Sequence, residues 1–168
     1  MRVDIKTISR DIGASLEMKS IGTPEEIALS FQGYEFSQPV EFDGVVNNAG
    51  SEGFVVKGIV STGWTSPCAR CLAEVASRME ADVDVIFKSQ YLREHNTQDA
   101  TDPEEEYTFQ GYSIELDHAL RDSLILALPF RVLCTDDCKG ICRRCGANLN
   151  EVKCGCGAAH KDEMSLLE

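Results

Sequence analysis

The chain has 168 residues, of which 43% are hydrophobic, so it is long enough for a full domain and too apolar to be disordered throughout. Its formal net charge of −12 opposes non-specific binding to nucleic acid. Its longest apolar run falls short of the roughly 18 residues of a transmembrane helix, and residues 1–6 lack the apolar core of an export signal. We therefore expect a cytoplasmic protein without a membrane partner.

Charge is spread unevenly along the chain. Residues 131–161 carry six lysines and arginines against three aspartates and glutamates, a net charge of +3, whereas the remainder carries −15. The basic segment coincides with a cluster of cysteines. A solvated surface on a metal-binding turn explains this segment as well as a binding site does.

Alternation of apolar and polar residues predicts an antiparallel sheet of three strands over residues 38–47, 53–65 and 73–88. In the third strand the apolar residues fall on one face and the charged residues on the other: Val75, Met79, Ala81, Val83, Val85 and Phe87 against Arg78, Glu80, Asp82 and Asp84. Further strands are expected near Val3–Ile5 and Ile27–Phe31.

A polar, acidic stretch at residues 93–106 predicts a loop. Residues 117–128 follow the helical period, with Asp117 complementing the N-terminus and Pro129 ending the helix. These elements predict an α+β fold in which an antiparallel sheet packs on one main helix. We expect a first domain at residues 1–130 and, docked on it, a cysteine-rich zinc-binding segment at residues 131–168.

Eight cysteines are the most specific chemical feature of the sequence. They form close pairs: Cys68 with Cys71, Cys134 with Cys138, Cys142 with Cys145, and Cys154 with Cys156. Reducing cytoplasm argues against disulfides, so this spacing indicates metal binding. Zinc takes four tetrahedral ligands and is well suited by thiolates, which predicts two zinc ions.

The last four cysteines predict one compact four-cysteine site, because the glycines that follow Cys145 and Cys154 permit the tight turns that bring sulfurs together. The other four, with Cys68 and Cys71 in a hairpin turn, are candidates for a second site. An alternative partition joins Cys134 and Cys138 to Cys142 and Cys145, and His160 is a candidate replacement for one cysteine. A third interpretation leaves Cys68 and Cys71 as free thiols.

The sequence gives little support for catalysis, and we expect a protein that is not an enzyme and has no small-molecule substrate. Its three histidines, His95, His118 and His160, lie in unlike settings, and the common hydrolase, phosphate-loop and zinc-protease motifs are absent. Sites made wholly of cysteine leave no open coordination position, which is typical of structural zinc.

Three strings in this order resemble the YceD family: Cys68-Ala69-Arg70-Cys71-Leu72, Ile125-Leu126-Ala127-Leu128-Pro129, and the segment from Leu133 to Asn150. The resemblance covers roughly residues 38–157. Members of that family usually carry proline where this chain has Arg143, a change that affects only the stiffness of the turn. The resemblance implies a role in the synthesis, processing or stability of large-subunit (23S) ribosomal RNA.

We accordingly predict a non-enzymatic factor in ribosome biogenesis whose partner is the large-subunit ribosomal RNA precursor or a ribosome-assembly protein. The predicted contact residues are Arg70, Lys139, Arg143 and Arg144, which lie beside the metal-binding turns. One alternative is a protein adaptor in which zinc serves only as a scaffold. Another is a thiol redox sensor, because close cysteine pairs also support disulfide chemistry.

Overall fold

The computed structural model describes residues 1–90 and 107–156, which fall into two compact units. The first unit comprises Met1–Trp64 and Arg78–Leu128, and the second comprises Thr65–Ser77 and the chain from Pro129 onward. The second unit therefore includes a hairpin turn from the middle of the sequence. The predicted division into domains at 1–130 and 131–168 rests on chain order alone, and it stays a prediction. The predicted loop at 93–106, with His95, lies outside the described residues, as does His160.

The described residues form seven strands: β1 (Arg2–Asp4), β2 (Ser15–Gly22), β3 (Val40–Asn48), β4 (Phe54–Pro67), β5 (Glu74–Ser89), β6 (Tyr107–Phe109) and β7 (Ser113–Glu115). Strands β2 to β6 form one sheet in chain order, and β1 pairs with β7 in a separate antiparallel ribbon. Strand β3 is antiparallel to both neighbours, but β6 is parallel to β5. The three predicted central strands are confirmed within two residues at each end.

Side-chain alternation places the core on one face of the sheet. In β5 the residues Met79, Ala81, Val83 and Phe87 are buried, while the charged residues between them are exposed, as predicted. Phe42 of β3 is also buried, and its ring lies over the facing glycines Gly44 and Gly58. A Cβ atom at Gly58 would lie 2.8 Å from this ring, so the small residue is needed there.

The single α-helix of the described residues, α1 (Asp117–Ala127), confirms the predicted one. Leu120 and Leu124 are completely buried, which follows from their spacing on one helical face. Asp117 lies in the first helical turn, where its charge complements the positive end of the helix dipole. The α+β prediction is confirmed. Within the described ranges, no helix is long and apolar enough to cross a membrane.

The predicted strand near Ile27–Phe31 is wrong, because Ile27 and Ala28 end a turn and Phe31 makes only an isolated bridge to Tyr34. Thr23 and Glu26 make reciprocal hydrogen bonds, in which the backbone N–H of each residue donates to the side-chain oxygen of the other, at 3.0 and 3.3 Å. This capping box bends the chain, and the backbone N–H of Leu29 then donates to the carbonyl of Pro24 at 2.8 Å. Local hydrogen bonds therefore outweigh the apolar pattern, and the preceding strand is β2.

Candidate metal centres

The turn between β4 and β5 presents the first two cysteines. The backbone N–H of Cys68 donates to the carbonyl of Ala73 at 2.8 Å, and that of Leu72 donates to the carbonyl of Cys68 at 3.0 Å. Leu72 adopts a left-handed backbone with φ of 62°, which is costly for a residue with a Cβ atom. This tight turn directs Cys68 and Cys71 toward the interior, where both are buried.

The segment after α1 brings Cys134 and Cys138 to this turn. Ala69 donates its backbone N–H to the carbonyl of Val132 at 2.8 Å, which aligns the two pieces of chain. Cys138 closes its own short turn by donating its N–H to the carbonyl of Thr135 at 3.1 Å. We call the resulting group, Cys68, Cys71, Cys134 and Cys138, the first cluster.

The sulfurs of the first cluster have the spacing of a tetrahedral metal site. All four lie within 4.8 Å of one another, with 3.8 Å between Cys68 and Cys138 and 3.5 Å between Cys71 and Cys134. Zinc–sulfur bonds of about 2.3 Å in a tetrahedron give sulfur separations of about 3.8 Å. Three of the four cysteines are buried. The first cluster therefore fits one zinc ion in number, distance and ligand type.

Hydrogen bonds prepare the Cys68 sulfur to carry negative charge. The backbone N–H of Cys71 contributes most, and those of Arg70 and Cys134 add to it; together they lower the pKa of Cys68 to about 6 against the effect of burial. Cys71 behaves oppositely: the N–H of Ala73 lowers its pKa, but burial and the neighbouring sulfurs raise it to about 12. A bound cation would lower the pKa of every thiol that coordinates it, which would make all four thiolates favourable.

The second cluster comprises Cys142, Cys145, Cys154 and Cys156, whose sulfurs also lie within 4.8 Å of one another. Cys142 donates its N–H to the carbonyl of Ala147 at 2.8 Å, and Gly146 donates back to the carbonyl of Cys142 at 2.9 Å. Gly146 has a φ of 72°, a backbone conformation that glycine adopts without strain. The predicted knuckle turn is therefore present, with its glycine in the expected place.

The second cluster repeats the electrostatics of the first. The backbone N–H groups of Cys145 and Arg144 lower the pKa of Cys142 to about 6. The sulfur of Cys145, followed by burial, raises the pKa of Cys156 to about 11. Each cluster thus combines one cysteine whose pKa is lowered to about 6, Cys68 or Cys142, with another whose pKa is raised, Cys71 or Cys156.

The structure groups the eight sulfurs as one of the two predicted partitions, with Cys68 and Cys71 beside Cys134 and Cys138 rather than beside Cys154 and Cys156. Cys68 and Cys71 are therefore not isolated thiols. His118 lies on α1, where its Nδ1 is 3.1 Å from Nη2 of Arg121.

The predicted contact residues fall into two groups in the structure. Lys139, Arg143 and Arg144 are exposed, and the two arginines occupy the turn between Cys142 and Cys145. Arg70 is half-buried, and its guanidinium donates to the carbonyl of Cys138 at 2.8 Å and to that of Asp136 at 3.5 Å. Arg70 thus ties the first cluster together from its own turn.

Sequence reasoning missed Asn150, whose side chain contacts the first cluster. Its Nδ2 lies 3.3 Å from the sulfur of Cys138, and its Oδ1 accepts the backbone N–H of Lys139 at 2.8 Å. Although burial raises the pKa of Cys138, the Asn150 amide and the N–H of Gly140 bring it below its ordinary value. Two asparagines two positions apart indicate a local turn, but that pattern does not identify the sulfur they reach.

The fold and these clusters define an α+β protein with two four-cysteine centres in its second unit. Residues 56–168 match the family described as large ribosomal RNA subunit accumulation protein YceD, and the chain belongs to this family. The family takes its description from the accumulation of large ribosomal RNA, which links it to ribosome biogenesis. The matched residues include both cysteine clusters and every predicted contact residue.

Among the curated relatives of the chain, a plant protein carries the same family name. The chain is 30% identical over 150 residues to uncharacterized proteins of Mycobacterium bovis and Mycobacterium tuberculosis, an alignment covering 89% of this chain and 70% of theirs. It is 42% identical over 50 residues to a chloroplastic YCED homolog 1 of Arabidopsis thaliana, described as a large ribosomal RNA subunit accumulation protein. That alignment covers 30% of this chain and 16% of the plant protein. No solved structure matches the chain.

Proposed function

We propose that this protein is a non-enzymatic factor that supports synthesis, processing or stability of large-subunit ribosomal RNA in the cytoplasm. The observation that carries the proposal is the placement of exposed cations on a turn that a four-cysteine cluster fixes. Family membership supports the biological setting. The cations supply the contact with RNA, and the metal supplies a rigid frame for them.

Zinc is a metal that suits both clusters. Eight thiol ligands in two tetrahedral groups favour a soft or borderline metal over magnesium or calcium, which take oxygen ligands. Four protein ligands per ion leave no position for water or substrate. The centres therefore serve as scaffolds, which supports a role without catalysis.

Charge distribution favours the second unit as the RNA-binding part. Its described ranges, 65–77 and 129–156, hold six lysines and arginines against four acidic residues. The described ranges of the first unit hold eight against fifteen. Phosphates are therefore attracted to the second unit and repelled from the first, which makes any RNA contact local.

Arg143 and Arg144 are the principal contacts in this proposal, with Lys139 beside them. The turn closed by Cys142 and Gly146 holds the two arginine backbones at a fixed separation, so less conformational entropy is lost when the guanidiniums meet phosphates. Arg70 contributes less to RNA binding in this proposal, because its guanidinium already donates to the Cys138 carbonyl.

A charge-removal experiment tests the RNA contact. Arg143→Ala combined with Arg144→Ala should weaken binding to a large-subunit ribosomal RNA precursor and flatten its salt dependence, by roughly 0.7 to 0.9 in log–log slope for each phosphate that the protein no longer neutralises. Lys6→Ala combined with Arg10→Ala removes the same charge from exposed positions of the first unit and is the matched control. Equal binding and equal slopes in both double variants would contradict the proposal.

A zinc-scaffolded protein adaptor is the second candidate, and the acidic face of the sheet favours it. Exposed carboxylates lie on the outer faces of β3 and β5: Glu41, Asp43, Glu80, Asp82 and Asp84. Three of them form ion pairs with basic side chains: Glu41 with Arg78, Asp43 with Lys19 and Asp84 with Lys57. Such a face complements a basic ribosome-assembly protein. Crosslinking in cells followed by RNA sequencing and protein identification from one pull-down separates the two candidates, because only the first requires crosslinked ribosomal RNA.

A further inference from the structure

Asn150 lies in the loop between two cysteines of the second cluster, but its side chain contacts a cysteine of the first cluster. It lies between Cys145 and Cys154, in the segment that the second cluster closes, yet its amide nitrogen is 3.3 Å from the sulfur of Cys138. We propose that Asn150 is a positioning residue that couples the two metal centres, so that metal in one strengthens metal binding in the other. This inference rests on the metal-binding part of the proposed function.

The orientation of the Asn150 amide is fixed by its neighbours. The backbone N–H of Lys139 can only donate, so the atom 2.8 Å away must be the Asn150 oxygen. The amide nitrogen then faces Cys138, and it also donates to Oδ1 of Asn148 at 2.9 Å. Asn150 thus accepts from one residue next to Cys138 and donates to the sulfur itself.

A chain of side chains holds Asn150 in this position. Oδ1 of Asn148 also accepts the backbone N–H of Asn150 at 3.1 Å, and Nδ2 of Asn148 donates to Glu151 at 2.6 Å. All of these residues lie between Cys145 and Cys154. Metal in the second centre fixes the ends of this segment, and the segment in turn aims the Asn150 amide at Cys138.

Backbone hydrogen bonds also connect the segments of chain that carry the two centres. Ile141 donates its N–H to the carbonyl of Arg70 at 3.2 Å, and Leu149 donates to the carbonyl of Gly140 at 2.9 Å. A Cβ atom at Gly140 would lie 3.0 Å from the Arg70 oxygen, which shows how closely these segments of chain approach. Order in the second centre is therefore transmitted to the turn that carries Cys68 and Cys71.

The physical effect is stabilisation of a bound thiolate. An N–H donor next to a metal-bound sulfur stabilises its negative charge and fixes its direction, and loss of such supporting groups typically costs about 10- to 100-fold in metal affinity. Coupling between two binding sites is reciprocal, so metal in the first centre must strengthen binding in the second by the same factor.

Asn150→Asp is the sharpest test, because the carboxylate has the same shape and still accepts the Lys139 N–H but cannot donate to Cys138. Gln32→Glu is the matched control, because it makes the same change from amide to carboxylate at an exposed position of the first unit. Full-length protein is loaded with cadmium, and the cadmium-113 resonance of each centre is recorded. Release of metal to a chromophoric chelator is then timed.

The resonances are assigned with a Cys154→Ser, Cys156→Ser variant, which retains only the first centre. We expect Asn150→Asp to shift the first-centre resonance and to speed its metal release by about tenfold or more. In the variant without a second centre, the same substitution should accelerate metal release from the first centre by a smaller factor, because the coupling is already removed. Gln32→Glu should leave both readouts near those of the parent.

The proposal would be overturned if Asn150→Asp released metal within about twofold of the parent rate, far below the expected effect. It would also be overturned if the substitution accelerated metal release equally with and without the second centre. If the variant without a second centre does not fold, Asn150→Asp and its control still decide through their rates of metal release. These readouts contain no RNA. A failure here is therefore distinguishable from a failure of the arginine experiment, and absence of cadmium binding altogether would instead remove the metal scaffold.

Discussion

The sulfurs of Cys68 and Cys138 lie 3.8 Å apart although 70 positions separate them in the sequence. A metal ion between them would close a long loop that contains α1 and β5. The second cluster, by contrast, closes only residues 142–156. The two centres should therefore differ in their contribution to folding, because a crosslink over a longer loop removes more chain entropy from the unfolded state.

Cys71→Ser should destabilise the domain as a whole, since it removes a buried ligand of the long-range centre. Cys145→Ser should loosen mainly residues 139–156. Thermal unfolding measures the first effect, and hydrogen exchange of the backbone amides locates the second. Equal loss of global stability in the two variants would contradict the assignment of long-range and local roles.

Leu124→Ala should cost about 2–5 kcal/mol of unfolding free energy, because Leu124 is completely buried and the truncation leaves a cavity. Leu126→Ala on the same helix should change the free energy by no more than about 0.5 kcal/mol, because Leu126 is 86% exposed. Chemical denaturation of both variants provides the measurement. A large effect at Leu126 would show that this residue is covered.

Tyr107 should make the stability of the protein depend on pH in the alkaline range. Burial, together with the hydrogen bond to Asp122 at 3.0 Å, raises the pKa of Tyr107 to about 12. The unfolded state has a tyrosine pKa near about 10, so the contribution of Tyr107 to stability is complete below about pH 10 and declines as the pH rises toward about 12. Tyr107→Phe should reduce this alkaline loss in denaturation curves recorded across that range. An unchanged pH profile would count against the contact.

Much of the sheet and the turn of the second cluster could be predicted from local patterns, whereas the sequence left two partitions of the eight cysteines open. Alternation in β5 is a property of consecutive residues, and the turn at Cys142 and Cys145 follows from their spacing and Gly146. The strand β6 escaped prediction because three residues are too short for a period to show. Parallel pairing of β6 with β5 likewise depends on a connection rather than on sequence pattern.

Interactions between distant residues account for the rest. The Asn150 amide and the Cys138 sulfur are 12 positions apart in the sequence, and the turn at 142–146 lies between them, so no local motif reveals their contact. The guanidinium of Arg70 was predicted to contact phosphate from charge and position alone. Its hydrogen bond to the Cys138 carbonyl depends on tertiary structure, and the phosphate contact stays a prediction.

Metal content measured on freshly purified protein tests the central claim most directly. Elemental analysis combined with thiol counting, on protein prepared without reductant, should give about two zinc ions per chain, one for each four-cysteine cluster, and no disulfides. One zinc per chain would leave a single metal centre. Protein without zinc and with paired, oxidised cysteines would contradict the account and favour a thiol redox sensor.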